Sequence, residues 1–373
     1  VTIEEVDNPT SPDVVVEVGA DRTVSFETPT TTLDVSVDNA ASQHIDIIQF
    51  DESSIDLFVT SGGSDVLNVG TNDFVRAKEV SLSSGTVEVE SELTATNGGL
   101  LLKADTSVII QANLLSDNSL EIKDAIGVTI NASANRVFQS TNSDILLDSV
   151  GMIELTGGSQ LISMIADQDA RLSDVAATGA LVNGASLNVQ AGENVNLKSV
   201  SLDGTTTDGS LTVSFDTNNS ATNTLRVDGN ISNVSTLQFT GGTDANDIVD
   251  INADIVADSI AIQDFNNVLI DASVSRNLTA MDGNVSIVSN FGQIQFDNGV
   301  STVAINSMGG SVQLSDVATL DSDLTIDSKS NVTLANIELN DSGAISVAFD
   351  TDDNEAAFLQ LNGEIRNATS VTF

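Results

Sequence analysis

Along most of this chain apolar and polar residues alternate in short bursts separated by turn-forming residues. Val128-Thr129-Ile130, Ile153-Glu154-Leu155, Val195-Asn196-Leu197, Val285-Ser286-Ile287, Ile294-Gln295-Phe296, Val303-Ala304-Ile305 and Val312-Gln313-Leu314 all read apolar, polar, apolar, the period of a half-buried strand. Gly, Asn, Asp and Ser fill the gaps, and these residues make turns and tolerate left-handed backbone. In the last four bursts the first apolar residue advances by nine, from 285 through 294 and 303 to 312. Helical periodicity is nearly absent. The least regular stretches, 71–92 and 160–180, are where a short helix is expected.

The bursts recur on a longer scale. Leu172-Ser173-Asp174-Val175-Ala176 returns as Leu314-Ser315-Asp316-Val317-Ala318, and Ile130-Asn131-Ala132-Ser133 with Arg136 returns as Ile270-Asp271-Ala272-Ser273 with Arg276. Further on, Ser214-Phe215-Asp216-Thr217 is echoed by Ala348-Phe349-Asp350-Thr351. The offset drifts from 140 through 142 to 134 residues, so short insertions and deletions fall between strands that keep their order. Two copies follow, at about 100–239 and 240–373.

Strands this short make a poor sandwich. They suit an all-β parallel β-helix, or β-solenoid, in which two or three strands complete a coil of roughly 18 to 27 residues, giving on the order of 14 to 20 coils. Residues 31–373 are expected to form one continuous elongated body. Residues 1–30 stand apart: they hold all three prolines, and Asp13 through Gly19 form a strong strand with no repeat partner, expected to be a cap or an inter-subunit strand. Ser370-Val371-Thr372-Phe373 aligns with Thr236-Leu237-Gln238-Phe239, after which the earlier copy continues. The last coil is therefore expected to be completed by more chain or by a neighbour.

Charge narrows the function. Fifty-four acidic residues against twelve basic ones give a formal charge of −42, which repels nucleic acid and anionic lipid. The acids are largely aspartates in turns, where they keep a surface hydrated or offer oxygen ligands to a hard cation. There is no cysteine, hence no disulfide framework or thiolate metal site, and no apolar run approaches the roughly 18 residues needed to span a bilayer. Trp and Tyr are also absent, unlike the usual Greek-key domain. The chain starts at Val1 without a signal sequence and is read as a processed or internal start.

The phrase Gly-x-apolar-x-apolar, seen in Gly127-Val128-Thr129-Ile130, Gly151-Met152-Ile153-Glu154-Leu155 and Gly292-Gln293-Ile294-Gln295-Phe296, resembles the degenerate repeats of filamentous-haemagglutinin-like and related β-strand-repeat bacterial surface proteins. The resemblance covers about residues 85–373. It implies a right-handed β-helical stalk, secreted and displayed on a cell surface for adhesion or coat formation, with no catalytic residues. The chain departs from that family in its acidity and in lacking a secretion domain.

Candidate chemistry is sparse. The single His44 excludes a multi-histidine site and is read as incidental in a polar turn. Arg136 and Arg276, the best candidates for a basic catalytic group acting on a polysaccharide, occupy equivalent repeat positions and are expected to serve the architecture rather than an enzyme. Calcium is the more credible ligand. Asp350, Asp352 and Asp353 open an acidic loop, although Glu355 and Leu361 occupy the places where an EF-hand needs glycine and an acid. Gly62-Gly63-Ser64-Asp65 and Gly241-Gly242-Thr243-Asp244, with Asp247 beyond, resemble the start of a calcium-binding glycine-rich repeat without completing it. Nine Asn-x-Ser/Thr triplets offer glycan acceptors wherever they face outward.

The expected function is a secreted structural or adhesive cell-surface protein that self-assembles into filaments by end-to-end coil stacking or strand addition. Partners are other copies of itself or the continuation of a longer chain, and a surface glycan or a host or cell partner, with neither nucleic acid nor membrane insertion. The alternatives are a calcium-rigidified adhesin stalk of tandem β-sandwich repeats and a polysaccharide-degrading β-helix enzyme.

Overall fold

The nine-residue step is one third of a coil. In the computed structural model Val285 pairs in parallel with Val312, while Ile294 and Val303, which lie between them in sequence, pair with Val317 and Leu324. Three strands therefore complete a turn on three different sides. The structure describes residues 2–6, 13–17, 23–26, 32–37, 44–48, 50–177, 183–219, 222–242, 246–290, 292–319, 321–339, 343–351 and 356–373. Among these there is no helix, and the strands stack as a parallel β-solenoid of about 13 turns, fewer than the roughly 14 to 20 coils expected. Turn length varies: Val249 lies over Val268, 19 residues on, whereas Ile337 lies over Ile365, 28 residues on. A tandem β-sandwich would need antiparallel sheets in each repeat, and the parallel ladders exclude it.

The chain divides into two compact units, residues 1–179 and 180–373. In the first, inward side chains stack coil on coil as Leu57, Val80, Leu100, Leu120, Ile145 and Ala170. Leu67, Val87, Val108, Val128, Ile153 and Val175 make a second column, and Val75, Leu93, Leu114, Phe138 and Met164 a third. All of them are buried. The segment Asp13–Glu17 lies between Thr2–Val6 and Thr23–Phe26 in antiparallel pairing, so both of its edges are occupied.

In the second unit, Leu225, Val249, Val268, Ile294, Val317 and Ile337 form one buried column. Leu211, Leu237, Ile260, Val285, Val312 and Val332 form another. The repeat seen in sequence reappears as matched stacking. Val128 over Ile153 over Val175 in the first unit corresponds to Val268 over Ile294 over Val317 in the second.

Two expectations are corrected. Residues 71–92 and 160–180 hold strands, Val75–Val89, Leu161–Ala166 and Ala170–Ala177, and no helix among the described positions. Val75–Val89 keeps its inward-outward alternation but slips phase twice, where Lys78 and Glu79 are both half-exposed and where Ser84 and Gly85 are both buried. A strand that turns a corner without a break thus looks aperiodic in sequence. His44, expected in a polar turn, begins the strand His44–Ile48, whose Ile45 and Ile47 are buried.

The Asn and Asp content has a structural explanation. Their side-chain oxygens accept backbone N–H groups from the following coil: Asn113 from Val137 (3.0 Å), Asn135 from Leu161 (3.1 Å) and Asp144 from Asp169 (3.0 Å) in the first unit. In the second unit the same cap joins Asn267 to Gln293 (3.1 Å), Asn284 to Ser311 (2.7 Å), Asp316 to Asn336 (3.0 Å) and Asn331 to Phe358 (3.0 Å). Corners interrupt the backbone ladder, and these oxygens give its unpaired donors a partner one coil away. Asn and Asp also supply the left-handed corners: among the described residues the non-glycine positions with positive φ are Asp124, Asp216, Asn219, Asn233, Asp264, Asn298, Asp321, Asp350 and Asn367.

Serine turns inward at several corners. Buried Ser116, Ser173 and Ser307 donate to the carbonyls of Gly98 (3.1 Å), Val150 (2.7 Å) and Gly283 (2.7 Å) one coil back.

The columns make a direct prediction. Leu120→Ala, in mid-column, should lower stability by about 2–5 kcal/mol, whereas Ile126→Ala nearby, 73% exposed, should change it by no more than about 0.5 kcal/mol. Urea unfolding followed by circular dichroism measures both.

Candidate functional site

Candidate chemistry rests on the aspartates at the corners, and their local geometry decides what each can do. Asp65 is buried and closes its own turn. Its Oδ2 accepts Gly62 N–H at 2.9 Å and its carbonyl accepts the Ser84 hydroxyl at 2.9 Å. Asp247 is likewise fully buried: Oδ2 accepts Gly242 N–H at 2.7 Å and Oδ1 accepts Asn223 N–H at 3.3 Å. The Gly62-Gly63 and Gly241-Gly242 pairs thus each have an aspartate close by, Asp65 and Asp247, that caps backbone. Gly242 is required here, because a methyl group in its place would lie 2.7 Å from the Asp216 backbone carbonyl oxygen, with the Asp216 carboxylate also in the way. Asp244, Asp352 and Asp353 lie outside the described residues.

Asp350 sits with φ 55° and its repeat counterpart Asp216 with φ 51°. The threonine after each makes the same pair of bonds. Thr217 donates N–H and Oγ1 to the Ala191 carbonyl (3.2 and 3.1 Å), and Thr351 donates both to the Ser328 carbonyl (3.4 and 3.3 Å). The acidic loop is therefore a corner motif used twice. Asp350 buries its Oδ1 without a hydrogen-bond partner. Among the described residues, no group of three or more His, Asp or Glu is arranged to hold a metal ion.

The two repeated arginines occupy one architectural position. Arg136 Nε donates to the Asn131 carbonyl at 3.2 Å, and Arg276 Nε donates to the Asp271 carbonyl at 3.0 Å, closing the same five-residue corner. The copies differ at one atom pair. Arg276 also pairs with the Asp271 carboxylate at 2.6 Å, where the first copy has the neutral Asn131. Burial lowers the pKa of the Arg136 guanidinium, which lacks such a counter-charge.

Asp271 is stacked in register on Asp297 of the next coil, and the two carboxyls move in opposite directions. Burial pushes Asp271 upward, but hydrogen bonds from Arg276 and Ser273 outweigh it and hold the carboxyl below its usual range. Asp297, whose Oδ1 is buried with no hydrogen-bond partner, is pushed upward by burial and then by the charges of Asp250 and Asp271. An acid beside a carboxylate is the raw material of general acid–base chemistry. Here one member is tied to a structural arginine, and the pair lines neither of the two concavities described next.

One concavity, of about 210 Å³, lies in the second unit among Asp316, Asn336, Glu338, Glu364 and Arg366. Its charges are largely consumed locally: Asn336 donates to Asp316 at 3.1 Å and Arg366 pairs with Glu364 at 2.6 Å. The other, of about 380 Å³, is an open groove on the first unit running past Arg76, Thr94, Leu115, Asp117 and Gln139. Reading the sequence missed it, because its residues are scattered over several coils. The available signal was Leu115, an apolar residue at an outward-facing position.

Comparison with protein-family models, curated proteins and solved structures found no match to this chain.

The asymmetry between the copies is testable. Asp271→Asn should cost about 1–3 kcal/mol, and Asn131→Asp should stabilise by giving Arg136 the missing partner. Thermal melts at neutral pH measure both. Asp297 carries the opposite sign. Its raised folded-state pKa penalises the charged form, so its contribution to stability improves as pH falls through that pKa, whereas the Asp271 contribution is lost as pH falls through its lowered one. Asp297→Asn should therefore raise neutral-pH stability by roughly 0.2–1 kcal/mol, read as a shift in urea midpoint across pH 4–8.

Proposed function

We propose that this protein is a structural and adhesive component of an extracellular cell surface, and that it is not an enzyme. The observation that carries this reading is the use to which its polar residues are put. Its repeated aspartates, asparagines, serines and arginines close corners and join coils, so the parts that look chemical in sequence serve the stack. Parallel ladders repeated turn after turn share load along many backbone hydrogen bonds, as a stalk or coat requires. The acid excess keeps neighbouring molecules hydrated and apart from polyanions. Association between copies belongs to the same proposal.

A second reading, a calcium-stiffened stalk, has one observation in its favour. The Asp350 corner buries a carboxylate oxygen without a hydrogen-bond partner at the head of an acidic loop.

Negative-stain electron microscopy of the purified chain, in calcium and in chelator, tests both. Slender particles or filaments that survive chelation are expected. Particles that collapse in chelator would move the reading to the calcium-stiffened stalk, and release of reducing ends from an anionic polysaccharide would refute the non-enzymatic one.

A further inference from the structure

The groove on the first unit differs from the rest of this acidic surface. In a chain with 54 acidic and 12 basic residues, its side chains are mostly uncharged: Thr94, Leu115, Gln139 and Thr141, with one aspartate and one arginine. The aspartate is already engaged. Asp117 Oδ1 accepts the Thr141 hydroxyl at 3.1 Å and the Asn142 amide at 2.9 Å. Arg76, exposed at one end, is held to Asp51 at 3.6 Å.

Register places these residues in a line. Arg76 pairs with Thr94, Thr94 with Leu115, and Leu115 with Gln139, each on the next coil. Four strands at the usual inter-strand spacing make a track about 14 Å long that follows the coil stack. Thr94 and Gln139 make no side-chain hydrogen bond within the described residues, so a hydroxyl and an amide remain available on either side of Leu115. Leu115, half-buried and pointing outward, gives an aliphatic contact between them.

We infer that this groove binds a linear polysaccharide of uncharged sugars, laid along the coil stack. An open track suits an extended polymer better than a compact metabolite. Alternating hydroxyl, aliphatic and amide groups match the alternation of hydroxyls and C–H faces along a sugar chain. A net charge of −42 disfavours a polyanion, and the single arginine is already paired. The inference rests on the adhesive reading above and gives it a site.

The test is calorimetric titration of the full chain with a β-1,4-glucan hexamer, a β-1,3-glucan hexamer and a polygalacturonate hexamer. An uncharged hexamer should bind with Kd on the order of 0.1–1 mM. Gln139→Ala and Thr94→Val should each weaken it about five-fold, the worth of one neutral hydrogen bond, and Leu115→Glu should abolish it. Gln313→Ala, exposed on the second unit, should leave it unchanged. Thermal melts of each variant confirm that the coil stack is intact. Absence of binding by both glucans up to about 10 mM, preference for the uronate, or indifference to the three groove substitutions overturns the inference. Each of these outcomes leaves the structural role standing, because microscopy reads that role independently.

Discussion

No coil of this protein can bury its own apolar residues. A turn of three short strands encloses a patch of Val, Ile, Leu and Phe only one layer thick, and that layer stays wet until another turn lies on each side of it. The parallel inter-coil ladder therefore carries the structure: it spaces the coils, aligns column on column, and removes backbone donors and acceptors from water in the same step. Everything else in the chain is subordinate to keeping that ladder unbroken through corners of changing length.

The corners are where a ladder fails, and here composition becomes mechanism. A strand that ends in a turn leaves N–H groups without a partner strand. Asn and Asp meet the need twice, by adopting left-handed backbone and by reaching one coil onward with a side-chain oxygen, as Asn284 does for Ser311. Serines turned inward do the complementary task for carbonyls. The same economy explains why the calcium-like and catalytic-looking residues yield no assembled centre among the described residues: Asp65 and Asp247 are committed to backbone N–H groups, and both repeated arginines to a carbonyl five residues back.

Using one motif at many corners has an electrostatic consequence. Acids brought into register on successive coils repel one another at strand spacing, and the Asp271–Asp297 pair records how this is managed. One carboxylate is neutralised by Arg276, while the other is left partly desolvated with its proton affinity raised. The first copy avoids the conflict with Asn131 and a threonine, Thr156, in the matching places. At this position the two copies differ in whether charge stacks on charge.

The sequence by itself determined the fold class. Bursts of period two, a nine-residue step, drifting repeats and turn residues that tolerate left-handed backbone together imply stacked parallel coils but leave two or three strands per coil open, and the structure decides for three by placing Val285 on Val312. These signals are local, carried by neighbouring residues, and so legible without coordinates. Only the tertiary structure decided which polar side chains act across coils, because a cap such as Asn331 on Phe358 joins residues 27 apart with no fixed spacing. For the same reason the strand Val75–Val89 could not be recognised where its alternation slips phase. The groove was equally invisible: Arg76, Thr94, Leu115 and Gln139 become neighbours only when coils of unequal length are stacked, and that stacking is a property of the ladder rather than of any segment.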